Sequence, residues 1–219
     1  MTAKNSIGQE TKDGIVEYYK EFVRRMNFYG MYYITISNNA VKQYQALEKE
    51  AEDLSETAKK TKMNWGKYLA ESNRIGIEKK NNELISITFA AMFLECVIWD
   101  YSAVNTSQGL TKDYLENLSL VGKWKVIPKL VNNDKNLNLD SRAIALLDKL
   151  AKARNNIVHN KSQAIPDIYE QIKKMEERAQ KITMPETVEC VKRCIEGLQE
   201  VDTTDYWLFE EETMESLKI

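Results

Sequence analysis

Between residues 15 and 58, apolar side chains return every fourth and then every third position, and this spacing constrains the chain more than any other feature. Ile15, Tyr19, Phe22, Met26, Tyr29 and Tyr33 stand at intervals of 4, 3, 4, 3 and 4, which places them on one face of an α-helix. Asn38 and Asn39 interrupt the pattern and predict a break. Ala40, Tyr44, Leu47, Ala51, Leu54 and Ala58 then repeat it, with a weaker continuation to Trp65 and Tyr68. Two such stripes around a short break predict an antiparallel helical hairpin at the N-terminus. The arm reads as structural; its Tyr and Trp side chains make a partner-binding or RNA-contacting arm the alternative. Eight Gly and three Pro in 219 residues are too few for a many-turned sheet protein, so the whole chain is predicted all-α.

Residues 81–111 contain no Lys or Arg, and Leu84–Val104 is apolar on nearly every side. Glu95 and Asp100 fall inside it. The segment reads as too short and too interrupted to span a membrane and as the central buried helix of a bundle. Buried carboxylates need partners, so Glu95 and Asp100 are candidates for structural pairing, which is favoured, or for placing a cation. A helix over 141–160 with Asp140 or Ser141 as N-cap follows. Ile168, Ile172, Met175, Ala179 and Ile182 mark another, and a further helix opens at Pro185. The division predicted is residues 1–80 as hairpin or extension, 81–200 as helical domain, and 201–219 as an acidic tail carrying Tyr206, Trp207, Leu208 and Phe209.

From Leu120 to Lys161 there are nine basic residues and three acids, a balance of +6 in a chain whose formal net charge is −2. This asymmetry is a candidate phosphate-binding footprint, through Lys123, Lys125, Lys129, Lys152 and Lys161; a solvated face is the plainer alternative. Trp124 is a core anchor or, less simply, a base-stacking platform. Cys96, Cys190 and Cys194 do not form a disulfide framework. Cys190 and Cys194, one turn apart, read as small buried residues of one helix face. With a single histidine, no metal site built from His and Cys of one chain is expected, nor any other cofactor. The first residues lack the apolar stretch of a secretory signal, which predicts a cytoplasmic location.

That single histidine, His159, ends the stretch Arg154-Asn155-Asn156-Ile157-Val158-His159. On a helix of 100° per residue Leu147, Leu150, Ile157 and Val158 form the apolar stripe, with Arg154 within it and His159 about 140° around from Arg154. An arginine inside an apolar stripe breaks the binary pattern, as happens at functional sites or buried ion pairs. Arg154 can pair with Glu95 or Asp100, and His159 can sit favourably at the carbonyl end of its helix.

The six residues resemble the R-x4-H signature of the HEPN (higher eukaryote and prokaryote nucleotide-binding) domains, in the form RN-x-x-V-H. The apolar helix with an embedded Glu, the basic connection and the motif near a helix end agree with it over roughly residues 81–200. The resemblance implies a HEPN-like helical bundle, a homodimer joined around the motif helix, and a metal-independent RNA endonuclease of the toxin or antiviral-defence type. It implies Arg154, Asn155 and His159 as catalytic residues, cleavage to 2′,3′-cyclic phosphate and 5′-hydroxyl ends, and an antitoxin or regulatory protein as a further partner. The alternative is a non-catalytic helical adaptor binding a nucleotide, RNA or protein. Some toxins of the family carry a tyrosine two residues after the histidine. Lys161 stands there in this chain, so a tyrosine-dependent modification is not implied.

Overall fold

The computed structural model describes residues 12–106, 110, 114–131, 139–158 and 182–201, with residues 12–28, 104 and 201 described by backbone alone. Its elements are helices α1 (Lys12–Thr61), α2 (Trp65–Asn105), α3 (Leu120–Val131), α4 (Ser141–Val158) and α5 (Met184–Val201). No strand occurs among the described residues, and the all-α expectation holds. His159, Lys161, the helix expected over 168–182 up to Lys181, and the tail from residue 202 lie outside the described residues.

The predicted break at Asn38–Asn39 does not exist. Helix α1 runs unbroken for 50 residues, and the antiparallel hairpin is formed by α1 with α2. Neither asparagine is Gly or Pro, and an interior Asn costs a helix only about 0.7 kcal/mol. Packing more than offsets this: Ile34, Ala40 and Val41 are buried around Asn38, itself 5% exposed. Ser37 lies in the same seam. Its hydroxyl donates to the Ser86 carbonyl at 3.0 Å, and the two hydroxyls are 3.1 Å apart, so the buried polar atoms are satisfied across the interface.

Charged side chains fix the register further out. Arg74 donates to Glu71 at 2.9 Å and Glu78 at 3.0 Å on its own helix, and pairs with Glu50 across the hairpin. Lys79 reaches Glu48 at 3.2 Å and sits 4.8 Å from the Tyr44 ring centre. Such exposed pairs contribute little stability individually; here they oppose slippage of one helix along the other.

The turn is closed by two caps. Met63 N–H donates to the Ala58 carbonyl at 3.3 Å while Lys62 adopts φ 51°, the left-handed C-terminal cap usually taken by glycine. Asn64 then caps α2, its side-chain oxygen accepting from the N–H groups of Gly66 (2.9 Å) and Lys67 (3.3 Å). A Cβ at a left-handed position costs roughly 1 kcal/mol. Lys62→Gly is therefore expected to raise stability by about that amount, measured by urea denaturation. An unchanged or lower midpoint would show that the lysine side chain compensates the strain.

Helix α2 is the hub: it packs on α1, α3, α4 and α5. Ile87, Ala90, Phe93, Leu94, Ile98 and Tyr101 are fully buried at its centre, each large apolar side chain contributing about 1.5–3 kcal/mol. By length and composition alone α2 is long and apolar enough to cross a bilayer, with 56% of its most apolar window buried in the protein. The sequence reading of that stretch as too short is corrected to this extent. The boundary drawn at 80–81 falls within α2, where the helix continues without interruption.

Helix α5 opens with a reciprocal cap between Thr183 and Glu186, whose carboxylate accepts from Thr183 N–H at 3.0 Å. Cys190 and Cys194 are free and buried on its core face. A hydrogen bond with Cys190, together with burial, holds the Cys194 thiol well above its usual range.

Candidate functional site

Helix α4 carries the described part of the motif. Asp140 starts it, accepting from Ala143 N–H at 2.5 Å, as its N-cap role requires. Ala143, Leu146, Leu147, Leu150 and Ala153 are buried, and Ile157 is partly buried against the same core. The stripe therefore centres between Leu150 and Ile157. Arg154 lies at its edge, half-buried, and Val158 beyond it is 50% exposed. The sequence pattern puts Arg154 mid-stripe because it leaves out Ala143, Leu146 and Ala153, which shift the centre of the buried face away from Val158.

The Arg154 Nη1 donates to the Asn155 side-chain oxygen at 3.1 Å. Among the described residues no carboxylate pairs with Arg154. A guanidinium bonded only to a neutral amide keeps its charge and donors free for an anion. Asn155 is exposed beside it.

The anticipated pairing of Arg154 with Glu95 or Asp100 is not found. Glu95 accepts from Lys123 Nζ at 2.8 Å instead, and the ammonium lies 5.7 Å from the Trp99 ring centre. Lys123 is only 5% exposed. Its charge is used inside the protein, so Lys123 is withdrawn as a phosphate contact: the register of α3 that buries Trp124 turns Lys123 inward with it. Trp124 is fully buried, its indole N–H donating to the Leu94 carbonyl at 3.2 Å, which makes it a core anchor.

Asp100 is 3% exposed, and its Oδ2 is buried without a hydrogen-bond partner. Burial pushes the Asp100 carboxyl up to about 8, so it is held as the neutral acid through much of the physiological range. The neighbouring Cys96 thiol is pushed up to about 11 by burial and by the Asp100 and Glu95 carboxylates.

Lys125 and Lys129 are exposed one turn apart on α3. Lys152 is exposed but pairs with Asp148 at 2.6 Å. Lys149 pairs with Glu186 at 2.8 Å, and Arg142 with Glu189 at 3.0 Å. The +6 of the linear segment is thus partly neutralised by acids, three of them (Glu95, Glu186 and Glu189) from outside it, an effect no local charge count contains. What remains exposed and unneutralised among the described candidates is Lys125, Lys129 and the edge at Arg154.

One feature escaped the sequence, a groove of about 350 Å³ between α1 and α5, whose walls include Tyr44, Glu48, Met184, Val188 and Lys192; its two sides are too distant in sequence to be associated by any motif. The hairpin tip was legible only as the weak continuation of the apolar stripe to Trp65 and Tyr68, within an arm whose alternative reading is partner or RNA contact. Here Trp65 is 71% exposed and stacked on Tyr68. Among the described residues no three His, Cys, Asp or Glu side chains converge as metal ligands do. Comparison with protein-family models, curated proteins and solved structures finds no match to this chain.

Proposed function

We propose that the chain is a metal-independent RNA endonuclease of the toxin or antiviral-defence type, acting in the cytoplasm as a homodimer joined around α4. The observation that carries the reading is Arg154: a half-buried guanidinium at the edge of the core, held by the neutral Asn155 amide, within the Arg-Asn-x-x-Val-His sequence. The resemblance of that sequence to HEPN ribonucleases and the all-helical bundle around it support the same reading.

The chemistry follows from the residue types. His159 removes the proton of an RNA 2′-hydroxyl, whose oxygen attacks the adjacent phosphorus. Arg154 stabilises the charge that develops on the non-bridging oxygens, and Asn155 orients the guanidinium. The P–O5′ bond breaks, a second histidine protonates the leaving oxygen, and the products carry 2′,3′-cyclic phosphate and 5′-hydroxyl ends. One chain has one histidine, so a two-fold dimer supplies base and acid together. The exposed Val158 offers an apolar contact to that interface, and Lys125 and Lys129 provide phosphate contacts. An antitoxin or regulatory protein is the further partner in this reading.

The partial neutralisation of the basic segment by Glu95, Glu186, Glu189 and Asp148 favours the second reading, a non-catalytic helical adaptor for a nucleotide, RNA or protein. End-labelled RNA incubated with the full chain separates the two. Cleavage is expected to persist in EDTA and to stop on an otherwise identical strand lacking 2′-hydroxyls, with cyclic phosphate ends identified by mass. Cleavage of the 2′-deoxy strand would exclude the mechanism. Light scattering is expected to give a dimer, and a monomer at micromolar concentration with and without RNA would remove the source of the second histidine.

A further inference from the structure

The tip of the α1–α2 hairpin combines features that neither hairpin stability nor the bundle core requires. Residues 59–68 contain Lys59, Lys60, Lys62 and Lys67 and no acid, a balance of +4 in a chain of net −2. All four lysines are exposed. Lys60 pairs with Glu56 at 3.0 Å; among the described residues no carboxylate pairs with Lys59, Lys62 or Lys67. Amid this charge stands Trp65, 71% exposed, its ring stacked on Tyr68 at a centroid distance of 5.6 Å and an interplanar angle of 28°. A large aromatic ring left this open gains little from the fold. Lys62 occupies the left-handed turn position that glycine takes without strain, so the turn keeps a cation where backbone geometry alone would select none.

The tip also projects. Glu48 still lines the groove shared with α5, and the helix from there to Thr61 extends roughly 20 Å further at 1.5 Å per residue. Ion pairs of Arg74 with Glu50 and of Lys79 with Glu48 hold the two helices in register below it.

We infer that this tip is a binding surface for single-stranded nucleic acid. The partner must be a polyanion, to match three unneutralised lysines, and must present flat rings, to use an aromatic pair already stacked. A single strand offers both in repeating units: phosphates for the lysines and unpaired bases for the open face of Trp65. A duplex offers the charge but keeps its rings stacked inside. An anionic membrane surface would meet the charge too, yet the exposed apolar side chains here amount to one Trp and the 45% exposed Leu69, little for insertion. The surface binds without any chemical step, so it stands or falls apart from the cleavage reading.

The test uses the full-length chain and a fluorescein-labelled oligo-deoxythymidine of about 15 nucleotides, which has no 2′-hydroxyl to react, followed by fluorescence anisotropy. The wild type is expected to bind this strand more tightly than the duplex of the same length. Trp65→Ala is expected to weaken binding about tenfold, and Trp65→Phe, which keeps a flat ring, to retain most of it. Replacing Lys59, Lys62 and Lys67 together by Ala is expected to make the salt dependence shallower by roughly 2 in log–log slope. Circular dichroism verifies that each variant keeps its helices. Equal binding by Trp65→Ala and wild type, no preference over duplex, or no binding at all would overturn the inference. So would binding to phosphatidylserine-containing vesicles without binding to the oligonucleotide, which would assign the tip to a membrane surface.

Discussion

RNA cleavage is expected to fall by about 10²–10⁴-fold in His159→Ala, the usual effect of removing one positioned acid–base group. Arg154→Ala is expected to fall as far, because the charge developing on the non-bridging phosphate oxygens would lose the arginine of the motif. The two variants should differ in a second respect. Arg154 is half-buried at the edge of the Leu150–Ile157 stripe, with no carboxylate partner among the described residues. Truncating it therefore leaves no described carboxylate unpaired, and the cost to the fold is expected to stay below about 1.5 kcal/mol. Arg154→Lys keeps the charge but not the planar fork held by Asn155, and should recover only part of the rate. The measurement is a single-turnover rate on end-labelled RNA alongside a urea denaturation of each protein. Full activity in His159→Ala would falsify the acid–base assignment. A loss of activity in Arg154→Ala that tracked a loss of fold would remove the evidence for its role at the phosphate.

The second large effect lies in the core. Asp100 has a buried, unpartnered Oδ2 and a carboxyl pushed from 3.8 to about 8 by burial. As pH rises from about 4 to about 8, the unfolded chain gives up this proton while the folded protein retains it. The folded state then binds more protons than the unfolded one, so stability falls with rising pH, by up to about 1.4 kcal/mol per unit. Asp100→Asn removes the titrating group and keeps the shape. It is expected to leave stability near its wild-type value at about pH 4 and to raise it by a few kcal/mol at about pH 8. Urea denaturation at both pH values makes the comparison. Parallel pH dependences for the two proteins would show that the Asp100 carboxyl takes up its proton alike in the folded and unfolded states, and would overturn the effect of burial.

The helical class and the core half of α2 were legible because their signals are periodic and local. A run such as Phe93, Leu94, Val97, Ile98 and Tyr101 declares a buried helix without reference to anything else. The misplaced hairpin turn shows where the same method misleads. The stripe ending at Tyr33 and the stripe beginning at Ala40 are seven residues apart, so one line of the pattern (Met26, Tyr33, Ala40, Leu47) runs straight through, and the buried Ser37 bridges the other with a single extra step of four. A real turn resets the phase, and polarity at Asn38 and Asn39 was a poorer guide than continuity.

At the candidate site, residue types were legible but their partners were not. Lys123 and Lys125 are indistinguishable as letters. Only the packing of Trp124 against Leu94 decides that one faces Glu95 and the other faces water. Glu186 and Glu189 discharge Arg142 and Lys149 across more than thirty positions, a distance no charge window spans.

The unbroken course of α2 through residue 80 also bears on the order in which the molecule is made. By the time Asn105 has been synthesised, α1 and α2 have all the partners they need to close as a hairpin, through a turn of three residues. The contacts next to the turn are local and form early, and domains begin to fold as they emerge. The same helix, however, carries Phe93, Leu94, Val97 and Ile98, whose other partners on α3, α4 and α5 are not yet made. A nascent chain whose α1–α2 hairpin has emerged before α5 presents an uncovered apolar face on α2. Its period of greatest exposure to aggregation and to chaperones therefore begins with α2 and ends only when α5 closes over it.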